Sequence, residues 1–333
     1  MSMQDKPQNL SRREVITLGA ALAGGITGSV IAGRGSVASG APILRTSNAA
    51  ATNTTPPPSV VHNIQQIINA KGTVDNGVLN IEIDRNDINN VRWRGSVPFL
   101  PSFEINGTLF FESLGGSYVM TNSDLALKSS EVDPFIDQLI RHNIEFQAEH
   151  QHFYDIEPDI WFIHFRARGT ATYVAEGIKA ALNVTSTPLP QAPPSNPTTP
   201  LPAEELGDII GAKPSIGSNG VVNFDVPRRE DIVLGNVHIN PYLNVATSIS
   251  FQPYGGGRNA VAVPDYGMIP SEINRVVGHM RSLGWDSGCL YNQETDEQPQ
   301  LFFDHMVKIG DSLQLAREIR SGLNLMNVVF MTP

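Results

Sequence analysis

GVLNIEIDRNDI, residues 77–88, returns as GVVNFDVPRREDI over residues 220–232. The recurrence is not local: IINAK at 67–71 returns as IIGAK at 209–213, and from Glu131 onward the offset holds at 141 residues. Ser130, Glu131 and Val132 answer to Ser271, Glu272 and Ile273, Pro158 to Pro299, His164 to His305, and Gly169 to Gly310. An ungapped run with this many matched types is the signature of a tandem duplication, so one unit is to be folded twice.

Within the unit, LNIEIDR over 79–85 alternates apolar and polar residues at the two-residue period of a half-buried strand. SFEINGTLFFESLGGSYVM over 102–120 holds two further strands joined through Gly115 and Gly116. SEVDPFIDQLIRHNI over 130–144 places Val132, Phe135, Ile136, Leu139 and Ile140 at helical spacing, with Ser130 read as N-cap and Asp133 at N3. A hairpin over 145–153 and 160–167 follows, and TATYVAEGIKAAL over 170–182 closes the unit as a helix. The expected fold is α+β: two homologous repeats, each an antiparallel sheet with two covering helices.

The domain plan follows from composition. Residues 1–41 carry paired Arg12 and Arg13, a Gly/Ala-rich apolar run and small residues around 38–41, which reads as a twin-arginine-type signal peptide. A linker spans 42–59, repeat 1 spans 60–183, a Pro-rich linker spans 184–202, and repeat 2 spans 203–333. The expected location is therefore outside the cytoplasm, periplasmic or extracellular, with no stable membrane insertion once the signal is cleaved. The 33 acidic against 23 basic residues give a formal charge of -10, which excludes the nucleic-acid backbone as a partner. Cys289 is the only cysteine, so no intramolecular disulfide forms.

AEHQHFYDIEPDIWFIHF, residues 148–165, carries the candidate chemistry, because three of the eight histidines fall within it. Side chains two apart on a strand share a face, which places His150 and His152 together about 7 Å apart at the backbone. A register with an even sum brings His164 to the same face. Three imidazoles on adjacent strands can hold zinc, manganese or iron with a position open. They can equally be packed, hydrogen-bonded residues of a half-buried sheet. Repeat 2 aligns Tyr291 with His150 and Gln293 with His152, and keeps only His305 as the partner of His164, so its site is expected to be degenerate.

Other positions carry a structural and a functional reading side by side. Glu131, shared as Glu272, suits a helix N-terminus, where the dipole favours a carboxylate, or serves as a fourth ligand or general base; Glu157 is the other candidate base. Arg85 and Arg228, with Asp87 and Asp231 nearby, form strand-pinning ion pairs or clamp an anionic ligand, and His305 is a further ligand-binding candidate. P-loop, G-x-S-x-G and H-E-x-x-H motifs are absent from the sequence.

Arg85 and Asp87, then Ser130, Glu131, Val132 and Pro134, then His150 and His152, then Glu157 and Pro158, and finally Phe162 with His164 make a pattern that resembles the LppY/LpqO family of exported bacterial proteins. The second copy answers with Pro227, Arg228, Glu272, Pro299 and His305. The resemblance implies export and duplication, and brings no settled activity. Two readings follow. One is an exported protein that binds a small ligand or a divalent metal through His150, His152 and His164, acting as a metal-assisted hydrolase or lyase if catalytic. The alternative is a non-enzymatic module that binds or contacts a cell-envelope component, with structural histidines.

Overall fold

A computed structural model of the protein describes residues 55–235 and 237–331; the export signal expected over 1–41 lies outside them. In the first repeat, α1 (Pro58–Ile68) precedes β1 (Thr73–Asp75), β2 (Val78–Asp84), β3 (Asn106–Gly115) and β4 (Tyr118–Lys128). Then come α2 (Val132–Arg141), β5 (Glu145–His150), β6 (Ile160–Thr170) and α3 (Ala171–Leu182). The second repeat runs α4 (Ala203–Ile210), β7 (Ser215–Ile216), β8 (Val222–Val226), β9 (Thr247–Pro253), β10 (Asn259–Met268), α5 (Pro270–Ser282), β11 (Asp286–Tyr291), β12 (Phe302–Asp311) and α6 (Ser312–Leu323). Each repeat forms a six-stranded antiparallel sheet of the same order, β1-β2-β3-β4-β6-β5 and β7-β8-β9-β10-β12-β11.

Strand alternation sends one set of side chains to the helices and the other to the sister sheet. On β2, Leu79, Ile81 and Ile83 join Leu125, Ile163 and Phe165 beneath α1, α2 and α3. The second repeat builds the matching layer from Phe224, Ile249, Tyr266 and Met306 beneath its own helices. The opposite faces of the two sheets meet each other. There an apolar cluster mixes Phe103, Ala126, Phe153 and Phe162 of repeat 1 with Val221, Val261, Val263 and Val307 of repeat 2. A second mixed cluster joins Val78 and Met120 to Leu234, Leu243 and Phe303. The result is four layers, helices outside and two sheets face to face, with the polar residues of the inner faces gathered between the mixed clusters.

The fold class is as the sequence predicts, with three differences in detail. A third helix opens each repeat: α1 starts with Pro58, buries Val60, Ile64 and Ile68 at the i, i+4 spacing, and stops at Asn69 with φ 65°. Ser130 does not cap α2; residues Ser129–Glu131 form a 3₁₀ turn instead, and the Glu131 carboxylate accepts from the Lys128 backbone N–H at 2.9 Å. The Pro-rich stretch 184–202 is laid onto repeat 1. The Ser186 hydroxyl donates to Glu131, and Gln191 exchanges hydrogen bonds with both backbone groups of Asp84.

Candidate functional site

The β5–β6 pairing sets the histidine face. His150 lies opposite Phe162, and Ala148 opposite His164, after a bulge between Phe146 and Ala148. The same bulge recurs 141 residues later, between Ser287 and Cys289 on β11. It places His150, Phe162 and His164 on the inner face, while Ile163 and Phe165 turn to the helices. Asp124 pairs with His164 across β4 and β6, and Asp265 with His305 across β10 and β12, so the inner faces present equivalent pairs to one another.

The sheets close on these residues. The His152 ring stacks on Phe162 with centroids 3.3 Å apart and on His305 of the other repeat at 3.6 Å. His150 stacks at 3.7 Å on Tyr291, the residue that replaces it in repeat 2. Nε2 of His150 and of His164 lie 2.9 Å apart. The group able to hold a metal comprises Glu104, His152 and His305, whose ligand atoms all fall within 4.8 Å of one another. Nδ1 of His152 is 2.7 Å from Oε2 of Glu104, and Nε2 of His305 is 3.8 Å from the same oxygen. Ligands held 2.0–2.1 Å from a tetrahedral ion stand about 3.3 Å apart, so these spacings straddle what such an ion needs. On its far side, Nδ1 of His305 stands 3.4 Å from Oδ1 of Asp265 without hydrogen-bonding it.

The electrostatics suit a cation. Burial, followed by repulsion from Asp265 and Asp124, pushes the Glu104 carboxyl well above its usual range. Burial also pushes Asp124 up to about 7 and Asp265 well above the ordinary range. Burial holds His150 down to about 3, and His152, His164 and His305 well below the usual imidazole value, with neighbouring imidazoles adding to the effect. Neutral imidazole is the form that ligates metal, and buried carboxylates without a cation are costly. Nδ1 of His164 and Oδ1 of Asp265 are buried and make no hydrogen bond. A divalent ion at this point would favour the ionised carboxylates and use the neutral rings.

Sequence reasoning reached part of this set. His152 is one of the three metal-holding residues; His150 and His164 sit against them; His305, expected in a degenerate second copy, completes the group from across the seam. The candidate group is thus not the three histidines of one repeat. Glu104 was missed. It lies in the loop before β3, and its backbone takes the left-handed conformation, φ 60°, with Ser102 two residues earlier at φ 68°. Such a conformation is disfavoured for a non-glycine residue and clusters at functional sites.

The remaining candidates lie elsewhere. Arg85 is fully buried and donates from Nη2 to Glu131 at 2.8 Å, from Nε to Asp87 at 2.9 Å, and from Nη1 to the Ala126 carbonyl. Arg228 repeats the arrangement with Glu272 at 2.8 Å, Glu230 at 3.0 Å and the Gly267 carbonyl at 2.7 Å. Its second partner is therefore Glu230, whereas Asp231 binds His238. Both guanidinium groups are committed to protein groups, and Glu131 joins its helix start to the strand rather than reaching the histidines. Glu157 is exposed, in a short strand ahead of Pro158 and against Asn90 and Asp159 in a separate shallow hollow. Cys289 lies 3.5 Å from Nδ1 of His305, and burial pushes its thiol up, away from the nucleophilic thiolate.

The family model described as Domain of Unknown Function (DUF1259) matches residues 62–184 and again 204–325. The chain belongs to this family. Its two matched segments coincide with the two sheet-bearing halves, so the seam between two copies of the family domain is where the candidate site lies. No curated protein matches the chain. A crystal structure of a trimeric bacterial microcompartment shell protein, PduB, aligns over 78% of this chain and 94% of that chain, at 9% identity and a TM-score of 0.19, too slight a likeness to bear on the fold. Among the described residues, no helix is long and apolar enough to cross a membrane.

Proposed function

We propose that the protein is a divalent-metal-binding protein of the bacterial envelope, exported by the signal of residues 1–41 and related to the LppY/LpqO family. It holds zinc, manganese or iron on Glu104, His152 and His305 and presents it to a small-molecule ligand in the adjoining cavity. The observation that carries this reading is the convergence of those three ligand atoms within 4.8 Å, drawn from both repeats. Two imidazoles and one carboxylate leave coordination positions free, the donor set of catalytic zinc and of non-haem iron rather than of a closed structural site.

When bound, the ion supplies Lewis-acid polarisation of a ligand oxygen, the chemistry of metal-assisted hydrolysis or of a related lyase step. The chain's own residues do the rest. Phe162 and the His305 ring wall in His152, and Asp124, which lines the cavity, is placed to take a proton there.

The test is elemental analysis of tag-free protein with its Glu104→Ala, His152→Ala and His305→Ala variants. The expected result is one equivalent of metal in the parent, lost in each variant at an unchanged fold by circular dichroism. A parent free of metal, whose melting temperature ignores added zinc, manganese and iron, would leave the non-enzymatic envelope module in its place.

A further inference from the structure

The cavity beside the metal-holding residues has a volume of about 470 Å³, the size of small-molecule sites in general. Its walls are built twice over. Asn80 and Glu82 of β2 face it together with Asn223 and Asp225, which stand at the matching positions of β8, and Asp124 faces it with Asp265. Six carboxylates line it, Asp75, Glu82, Glu104, Asp124, Asp225 and Asp265, against a single lysine, Lys213. None of the six is ion-paired to a lysine or arginine among the described residues. One divalent ion leaves most of that acid surplus uncompensated, and an anionic ligand would be repelled.

Two further observations describe the ligand that compensates it. Oδ1 of Asn80 and Oδ1 of Asp265, both on the cavity wall and shielded from water, accept no hydrogen bond; Asp265 is only 8% exposed. Buried acceptors without donors are rare and call for a ligand that donates. Phe110 and Tyr242 supply aromatic walls, which favour an organic cation over a bare ion. Asp75 and Asp225 stand exposed, where they can draw such a cation inward.

We infer that the cavity binds a small organic ammonium ion, held by Glu82 and Asp225 from the two repeats and by Asn80, next to the metal. This deepens the reading given above and rests on it for the location of the site.

The test is a calorimetric titration at pH 7 with three probes of equal length, 1,4-diaminobutane, 1,4-butanediol and succinate, on metal-loaded and metal-stripped protein. The diamine is expected to bind, the diol at least about tenfold more weakly, and succinate not at all. The Glu82→Gln, Asp225→Asn double variant is expected to weaken the diamine by at least about tenfold while its metal stoichiometry at saturation stays at the parent value. A diol or succinate that binds as well as the diamine, a diamine that fails to bind metal-loaded protein, or a double variant with unaltered affinity would overturn the inference. Because metal content is read on the same samples, metal retained without diamine binding removes this inference alone. Diamine bound by protein that holds no metal removes the metal reading alone.

Discussion

His152 and His305 lie face to face with ring centroids 3.6 Å apart, although each belongs to a different repeat. The contact makes the second copy part of the site, even though it lost two of the three histidines of the first. His305→Ala should therefore lower metal affinity as severely as His152→Ala, by at least about tenfold each. Competition with a chromophoric chelator measures it; a His305→Ala protein that binds like the parent would confine the site to repeat 1.

Arg85 and Glu131 bear on a different question. Removing the fully buried Arg85 strands the Glu131 carboxylate, which costs about 3–5 kcal/mol, whereas removing Glu131 leaves Arg85 its pair with Asp87 and costs less. Arg85→Ala and Glu131→Ala should each lower the urea midpoint by a corresponding amount. Metal stoichiometry per folded molecule should stay at the parent value, because neither residue touches the Glu104, His152 and His305 group. Loss of metal at undiminished stability in Glu131→Ala would restore Glu131 as a ligand or base.

How much of this was legible depends on whether the information is local. The offset of 141 residues and the two-residue strand period are written in the chain itself, and they place His150 and His164 on one face. The partner of Arg228 was also within reach, since Glu230 sits two residues on, just as Asp87 follows Arg85. Both pairs close a two-residue step in the turn or bend just past a strand, and Asp231, one residue further on, lies outside that step. Glu104 was not legible. It reaches His152 only because a loop with two left-handed residues turns back beneath β3, and no periodicity encodes such a loop. The role of His305 was hidden for another reason: it depends on two sheets docking face to face, a relation between distant segments that leaves no mark in either one.

Glu112 makes stability depend on pH. It is fully buried on β3 and accepts from the Asn240 backbone N–H at 2.9 Å, and burial raises its pKa from 4.5 to about 7. Its folded form then binds a proton more tightly than the unfolded chain does. Its contribution is most favourable below about pH 4.5 and is lost as pH rises through about 7. Glu112→Gln, which keeps the shape without the charge, should be about 1–3 kcal/mol more stable than the parent at pH 8 and close to it at pH 4.5. Urea midpoints at the two pH values check this, and equal differences at both would assign the effect to something other than ionisation.

Gly288 sits in the β11 bulge against the other repeat: a Cβ there would lie 2.1 Å from the His152 carbonyl oxygen and 2.8 Å from the Phe153 ring. Neither neighbour yields easily, since one is backbone and the other is packed between the sheets. Gly288→Ala should push the seam apart at His152 and cost about 1–3 kcal/mol of stability from overpacking. Since His152 and His305 must stay in register to share an ion, metal affinity should fall with it, by about tenfold or more. Gly284→Ala is the control: it lies four residues away in the turn before β11, where a Cβ meets nothing within 4 Å but the backbone has φ 84°. It should cost a similar amount of stability through backbone strain and leave metal binding intact. Chelator competition and urea unfolding on both variants separate seam geometry from general destabilisation, and equal metal loss in the two would show that the seam is not what sets the site.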